Sequence, residues 1–181
     1  KDKRIHLAPD VLLADFTRLA EVLEADLERL RQPPSTATAH DLADQGAGFD
    51  LQLLGRRGLS DNNSWLHNAP SLMTGRERCT LHMHPDDASA RNLQEGDPVR
   101  LASRTGAVRA TVHLTPELMP GVVSLPHGWG HGRPDCEQRV AAQHAGVSVN
   151  DITDEMLMDR LSGTAALSGV PVSVCGAEAS S

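Results

Sequence analysis

Apolar residues recur at intervals of three and four positions near the start of the chain and predict an amphipathic helix over residues 10–31. The stripe consists of Leu12, Phe16, Leu19, Leu23, Leu27 and Leu30. Asp10 is a candidate N-cap, and Pro33 and Pro34 end the helix because proline cannot continue it. A helix with a single apolar stripe buries it against a neighbour. That neighbour is either the main domain or a domain outside this sequence.

Beyond residue 48 the pattern changes to a period of two, which is typical of half-buried β-strands. The alternating or short apolar segments are 49–54, 79–84, 99–101, 108–114, 120–125 and 170–174. A glycine turn at 104–106 predicts a hairpin between two of them. Short helices are predicted at 86–91 and 151–161, the second capped by Asp151 or Thr153. Many short strands separated by turns predict a compact β-barrel with small helices.

Composition excludes several functional classes. The 181 residues include 17 Lys and Arg against 24 Asp and Glu, and a net charge of −7 argues against a general nucleic-acid binder. With two Phe, two Trp and no Tyr, the core must come from Leu, Val, Ala and Met. Three widely spaced cysteines without a CxxC pair are expected to be reduced thiols. No apolar run reaches the roughly 20 residues that span a bilayer, and no signal peptide is visible, so we expect no membrane contact and a cytoplasmic location.

Four polar segments interrupt the alternation and are candidate binding loops. The first is Gly55-Arg56-Arg57, where the backbone and two guanidinium groups can approach an anion together, unless it is a solvated surface turn. Segment 60–68 offers amides and hydroxyls to a polar heterocycle, or is an Asx-rich capping segment. Segment 125–132 interleaves glycines with Trp and His, a composition typical of binding loops. The fourth segment is 149–151.

Other kinds of site have weaker support. His82 and His84 are two residues apart, and His127 and His131 are four apart, but neither pair has the glutamate or the HExxH spacing of common metal sites. No GxSxG motif is present, and Cys136 alone is a weak candidate nucleophile. The glycine-rich cradles of ATP- and NAD-binding proteins are also missing.

The order of the polar segments resembles a known domain. The series is Gly55-Arg56-Arg57, Asn62-Asn63-Ser64-Trp65-Leu66-His67-Asn68, Met83-His84-Pro85-Asp86-Asp87-Ala88, Glu95-Gly96-Asp97, Ser103-Arg104-Thr105-Gly106, Pro120-Gly121-Val122-Val123-Ser124-Leu125-Pro126-His127 and Val149-Asn150-Asp151-Ile152-Thr153. This series resembles the C-terminal molybdopterin-dinucleotide-binding domain of the dimethyl sulfoxide reductase family, which includes formate dehydrogenases and nitrate reductases.

The resemblance implies a mainly β fold with small helices, namely a double-psi β-barrel of the aspartate-decarboxylase-like kind. On this interpretation residues 49–175 form the barrel, residues 1–31 a connecting amphipathic helix, residues 32–48 a linker or mobile loop rich in Pro, Ser, Thr, Ala and Gly, and residues 176–181 a tail.

The resemblance also implies that the barrel holds molybdopterin guanine dinucleotide. The candidate cofactor-binding residues are Gly55, Arg56, Arg57, Asn63, Ser64, His67, Asn68, Pro126, His127, Gly128, Trp129 and Asn150. The arginines suit the pyrophosphate, the residues between 63 and 68 suit heterocycle edges and phosphate oxygens, and the loop beginning at Pro126 would close over the pterin.

In this family the ligand of the molybdenum or tungsten ion lies on another domain. We therefore assign no catalytic and no metal-binding residue here, and we expect the isolated chain to be inactive and to lack the cofactor. The expected partners are the remaining domains of a larger oxidoreductase. Asn63, Ser64 and Trp65, with the loop at 126–129, favour a formate-dehydrogenase-like enzyme by analogy.

Two alternatives stay open on the sequence. One is a stand-alone double-psi barrel, either an adaptor or a small enzyme such as a self-processing decarboxylase; that decarboxylase needs a Gly-Ser pair, which this chain lacks. The other is a histidine-based metal-binding domain, for which metal analysis of the purified chain is the test.

Overall fold

A computed structural model of the protein describes residues 8–31, 48–75 and 77–177. The strands are Leu51–Arg56 (β1), Thr80–Met83 (β2), Pro98–Ala102 (β3), Ala107–Leu114 (β4), Val122–Pro126 (β5) and Val170–Gly176 (β6). The α-helices are Asp10–Arg31 (α1) and Pro85–Ser89 (α2), and 3-10 helices cover Ser64–Asn68, Ala141–His144 and Val149–Ile152. Nearly all of the predicted linker at 32–48, and the last four residues of the predicted tail, lie outside the described residues.

The six strands close into a barrel in the order β1-β5-β2-β4-β3-β6. Two neighbouring pairs are parallel, β1 with β5 and β2 with β4, and the other four contacts are antiparallel. This topology confirms the expected double-psi β-barrel with small helices.

The barrel interior holds the core and is aliphatic, as the scarcity of aromatic residues predicts. Along β1 the side chains alternate, so that Leu51 and Leu53 are buried while Gln52 and Leu54 are exposed. The larger fully buried side chains include Leu81, Met83, Leu101, Leu125 and Ile152. A continuous aliphatic core of this kind supplies most of the free energy that stabilises a small barrel.

The predicted hairpin at 104–106 is confirmed. Strands β3 and β4 pair with Ala102 opposite Ala107, and Ser103 N–H donates to the Gly106 carbonyl at 2.9 Å. A side chain could not replace the hydrogen of Gly106, because a Cβ there would lie 2.4 Å from the Asp151 carbonyl oxygen. The turn therefore lies directly against the 3-10 helix Val149–Ile152.

Helix α1 forms as predicted, but the barrel does not bury its stripe. Asp10 lies in its first turn, where Leu12 N–H and Leu13 N–H donate to the Pro9 carbonyl. The described side chains of the stripe, Leu12, Phe16, Leu19, Leu23 and Leu27, are between 41% and 65% exposed. No described helix is both long enough and apolar enough to cross a bilayer.

The predicted helix at 151–161 is wrong. The 3-10 helix Val149–Ile152 occupies its first residues, and Ser148, not Asp151 or Thr153, accepts a hydrogen bond from the backbone at its start. After Ile152 the chain turns back on itself, because Asp159 N–H donates to the Thr164 carbonyl at 2.8 Å and Met158 pairs with Ala165. Local cross-chain bonds therefore replace the i to i−4 bonds that a helix would need.

Candidate functional site

Four of the predicted binding residues line one cavity of about 210 Å³. They are Gly55, Arg57, His127 and Asn150, and Val149, Thr153, Leu167 and Ser168 complete its walls. Three separate predicted segments therefore meet at one place, although Gly55 and Asn150 are 95 positions apart in the sequence.

The parallel pairing of β1 and β5 explains this convergence. Gly55 is opposite Leu125 and Arg56 is opposite Pro126, so both strands end at the same rim of the barrel. His127 N–H continues the ladder by donating to the Arg56 carbonyl at 2.9 Å. The residues that follow each strand are thereby brought to the cavity.

Arg57 is the exposed cation of this cavity. Its Nη1 donates to the Asn62 carbonyl at 2.8 Å. A guanidinium carries five N–H donors, so this bond orients the side chain while donors are left for an anion. Arg57 is therefore suited to bind a phosphate or pyrophosphate group.

Arg56 is half-buried and donates hydrogen bonds to backbone carbonyls of the neighbouring strands. Its Nη2 donates to the Thr80 carbonyl at 2.6 Å, and its Nη1 donates to the Ser124 carbonyl. Burial lowers the pKa of Arg56 to about 10, which still leaves it charged at neutral pH. The guanidinium ties the end of β1 to β2 and β5, and it lines a second cavity of about 340 Å³ with Arg78, among others. It does not line the cavity that contains Arg57.

Segment 60–68 uses several of its polar atoms to hold its own shape. Asn63 Oδ1 accepts from Trp65 N–H at 3.0 Å and caps the 3-10 helix Ser64–Asn68. Asn68 Oδ1 accepts from Val140 N–H at 3.0 Å and from Ala141 N–H at 3.4 Å. The capping alternative therefore accounts for the acceptor atoms of both asparagines. Cofactor contacts from their amide NH₂ groups and from Ser64 stay a prediction.

His67 is fully buried between the two predicted loops. Its Nδ1 lies 2.8 Å from His131 Nε2, and its Nε2 lies 3.4 Å from the Asp61 carbonyl oxygen. A donor at Nε2 makes Nδ1 the acceptor, so His131 Nε2–H donates to His67. Burial lowers the pKa of both imidazoles, which favours this neutral arrangement. The His67 side chain does not line the cavity.

Trp129 is also buried, at 5% exposure, and packs with Met73 and Cys79 in a small cluster beside the barrel. Its ring centroid is 4.2 Å from that of His67. Its indole Nε1 has no hydrogen-bond partner among the described residues. In the structure Trp129 anchors its loop, and the expectation that it contacts a pterin stays a prediction.

Gly128 lets the two loops approach each other closely. Its φ is +93°, and a Cβ would lie 3.2 Å from Ser64 N. Pro126, two residues earlier, is buried at the end of β5. Four predicted residues lie in this loop, from Pro126 to Trp129. Only His127 lines the cavity, and the other three shape the loop.

Some site residues were not singled out by the sequence. Leu167 and Ser168 line the cavity but lie in a stretch without periodicity or motif, so no signal could have found them. Asp61, 5% exposed and 3.5 Å from Arg78 Nε, lies in the indicated segment 60–68, but its burial and its ion pair depend on the fold. His131 belongs to the glycine-rich loop that the sequence did indicate, but its pairing with His67 depends on the fold.

The histidines do not form a metal centre in the described part of the chain. No group of three or more His, Cys, Asp or Glu side chains is arranged there to hold a metal ion. His84 Nδ1 accepts from Asp86 N–H at 3.1 Å and caps α2. His82 and His113 face each other across β2 and β4, with ring centroids 4.7 Å apart. The geometry therefore gives the alternative of a histidine-based metal site no support.

Curated proteins similar to this chain are large reductases. A tetrathionate reductase component of Salmonella typhimurium is 31% identical over 115 residues, which cover 51% of this chain and 11% of that protein. ArrA, the molybdopterin-containing component of the arsenate respiratory reductase of Chrysiogenes arsenatis, is 31% identical over 121 residues, 64% of this chain and 14% of that protein. The dimethyl sulfoxide reductase DmsA of Haemophilus influenzae is 34% identical over 80 residues, which cover 44% of this chain and 10% of that protein. The chain thus spans about a tenth to a seventh of these relatives.

The fold is also found in a solved enzyme structure. Acetylene hydratase from Pelobacter acetylenicus superposes with a TM-score of 0.63 at 16% identity, over 79% of this chain and 20% of that one. The family model described as "Molydopterin dinucleotide binding domain" matches residues 51–171, which include every predicted cofactor-binding residue. Because that match covers well over half of the sequence, the chain belongs to the molybdopterin-dinucleotide-binding domain family.

Proposed function

We propose that this chain binds molybdopterin guanine dinucleotide as the C-terminal domain of a larger molybdenum or tungsten oxidoreductase. The observation that carries the proposal is the convergence of Gly55, Arg57, His127 and Asn150 on one cavity, in a chain that belongs to a dinucleotide-binding family.

The residues of the cavity fit the chemistry of such a dinucleotide. The exposed guanidinium of Arg57 matches an anionic pyrophosphate, and the side-chain amide of Asn150 offers both donors and an acceptor to a heterocycle. Gly55 leaves space at the cavity wall, since a Cβ there would meet only the Leu167 carbonyl oxygen, at 3.7 Å. When bound, the cofactor would supply redox chemistry through its metal ion.

The remaining domains of the oxidoreductase are the proposed partners. In this family the residue that ligates the metal lies on another domain, so a complete site needs walls from elsewhere. The exposed stripe of α1 supports this proposal, since a second domain could cover the apolar surface that the barrel leaves open. The metal, the substrate and the narrower formate-dehydrogenase-like assignment stay predictions; the relatives above are named for the reduction of tetrathionate, arsenate and dimethyl sulfoxide.

A titration of the 181-residue chain with GDP tests the proposal, because GDP carries the guanine and the diphosphate without the unstable pterin. At millimolar concentration we expect saturable binding, with the largest NMR shifts at the amides of Gly55, Arg57, His127 and Asn150. Arg57→Met should raise the dissociation constant about tenfold, the effect of losing one charge-assisted contact.

Two controls sharpen this titration. Arg100→Met removes an exposed arginine from β3, outside the cavity, and should leave GDP binding unchanged. Guanosine lacks the diphosphate, so its binding should not respond to Arg57→Met. A chain that binds no GDP, or shows its largest shifts on another surface, would overturn the proposal.

A further inference from the structure

The cavity wall formed by Asn150 and Thr153 is held from outside by the turn between β3 and β4. Asn150 lies in the 3-10 helix Val149–Ile152, and Thr153 follows that helix, so neither residue is held by strand pairing. Thr105 Oγ1 donates to the Thr153 carbonyl at 2.9 Å. On the same turn, the Cα of Gly106 lies so close to the Asp151 carbonyl that no Cβ would fit.

An ion pair makes the strongest contact between this turn and the wall. Arg104 Nε donates to Asp154 Oδ2 at 2.6 Å, and Arg104 Nη2 donates to Asp154 Oδ1 at 2.5 Å. Asp154 is only 8% exposed, and its Oδ1 also accepts from Met156 N–H at 2.8 Å. Planar two-point pairing of this kind fixes orientation as well as distance.

The segment that follows Asp154 also leads to the opposite wall of the cavity. After Asp154 the chain makes the turn-back at Asp159 and returns to Leu167 and Ser168, which line the far side of the cavity. The segment 153–168 therefore borders the cavity at both of its ends. Arg104 itself does not line it.

We propose that Arg104 and Asp154 are positioning residues for the dinucleotide site, which hold the Asn150–Thr153 wall in its binding geometry without contacting the ligand. This inference rests on the proposed function. A wall that is fixed in advance does not have to be ordered on binding, so the pair strengthens binding by lowering that cost. The Arg104 side chain is 53% exposed, so the charge attraction of the pair contributes little by itself. Asp154, in contrast, is buried and accepts three hydrogen bonds that fix its carboxylate in place.

The test measures GDP affinity of the full chain for wild type, Arg104→Met, Arg104→Lys and the control Arg100→Met. Arg104→Met and Arg104→Lys should each raise the dissociation constant for GDP at least about threefold, since neither methionine nor lysine can make the two-point contact with Asp154. Gly106→Ala is an independent probe, because it pushes the Asp151 carbonyl away without a positive φ, and it should weaken binding similarly.

A second readout separates positioning from general stability. Amide hydrogen exchange should quicken at residues 150–157 in Arg104→Met, while β1 and β5 keep their protection. Unchanged GDP affinity in Arg104→Met and Gly106→Ala, with wild type binding GDP normally, would overturn the inference and leave the proposed function intact. Affinity lost only together with protection of the whole barrel would overturn it as well. Failure of wild type to bind GDP would instead overturn the proposed function.

Discussion

The neighbouring residues Arg56 and Arg57, at the end of β1, make different kinds of contact. Arg56 donates to carbonyl oxygens of β2 and β5, while Arg57 stays exposed at the cavity. Neighbouring side chains along an extended segment point to opposite sides, and only Arg57 lines this cavity. The proposed anion-binding role is therefore assigned to Arg57, while Arg56 ties strands together.

Gly128 provides a residue-scale prediction. Gly128→Ala should lower the free energy of unfolding by more than the roughly 1 kcal/mol that a positive φ costs a non-glycine residue, since the new Cβ also crowds Ser64 N. Gly121→Ala is the matched control, with a φ of +84° and nothing within 4 Å of its Cβ position. Urea denaturation measures both. Equal losses in the two variants would show that the close approach of the loops is unimportant.

At the scale of elements, two loops depend on one pair of imidazoles. The hydrogen bond between His67 and His131 joins the 3-10 helix Ser64–Asn68 to the loop after β5. Asp61 and Arg78 are the charged groups that act on His67, and His67 in turn acts on His131. Burial of both rings favours their neutral forms, so acid should loosen this contact.

This pair predicts how stability depends on pH. The unfolded chain protonates both imidazoles near pH 6.5, but the folded chain does so only at lower pH, because burial lowers both pKa values. The free energy of unfolding should therefore fall as the pH drops below about 6.5 and level off once both folded imidazoles are protonated. Urea denaturation between about pH 7 and pH 5 measures the free energy of unfolding over this range.

A double variant isolates the contribution of the pair. His67→Gln with His131→Gln should flatten the dependence on pH over this range, whereas His144→Gln, outside the pair, should preserve it. A wild-type stability that is constant over the whole range would be inconsistent with two buried neutral histidines.

We expect a substitution on the exposed stripe of helix α1 to destabilise the chain much less than a substitution in the barrel core. Leu23→Ser, on the exposed stripe, should change the free energy of unfolding of the chain by less than about 0.5 kcal/mol. Leu53→Ala, in the barrel core, should cost about 2–5 kcal/mol. Thermal or urea denaturation distinguishes the two. A large loss in Leu23→Ser would show that the barrel buries the stripe after all.

On the scale of the whole molecule, the sequence predicts the strands better than the contacts between distant segments. Period-two alternation and short apolar segments locate the six strands to within two residues at each end, because one face of each strand is buried. The helix expected at 151–161 is absent, since Asp154 pairs with Arg104, 50 positions away, and helix propensity does not include such a contact. Resemblance to the family indicates the site loops, but only the parallel pairing of β1 with β5 shows that Arg57 reaches the cavity and Arg56 does not.

The central claim is that the barrel holds the dinucleotide through Arg57 and Asn150. Its most direct test is the molybdenum and pterin content of the intact oxidoreductase purified with Arg57→Ala, with Asn150→Ala, and with Arg100→Met as the control. We expect both cavity variants to retain less of the metal and the pterin than wild type, and the control to retain as much. Unchanged metal and pterin content in both cavity variants would contradict the claim.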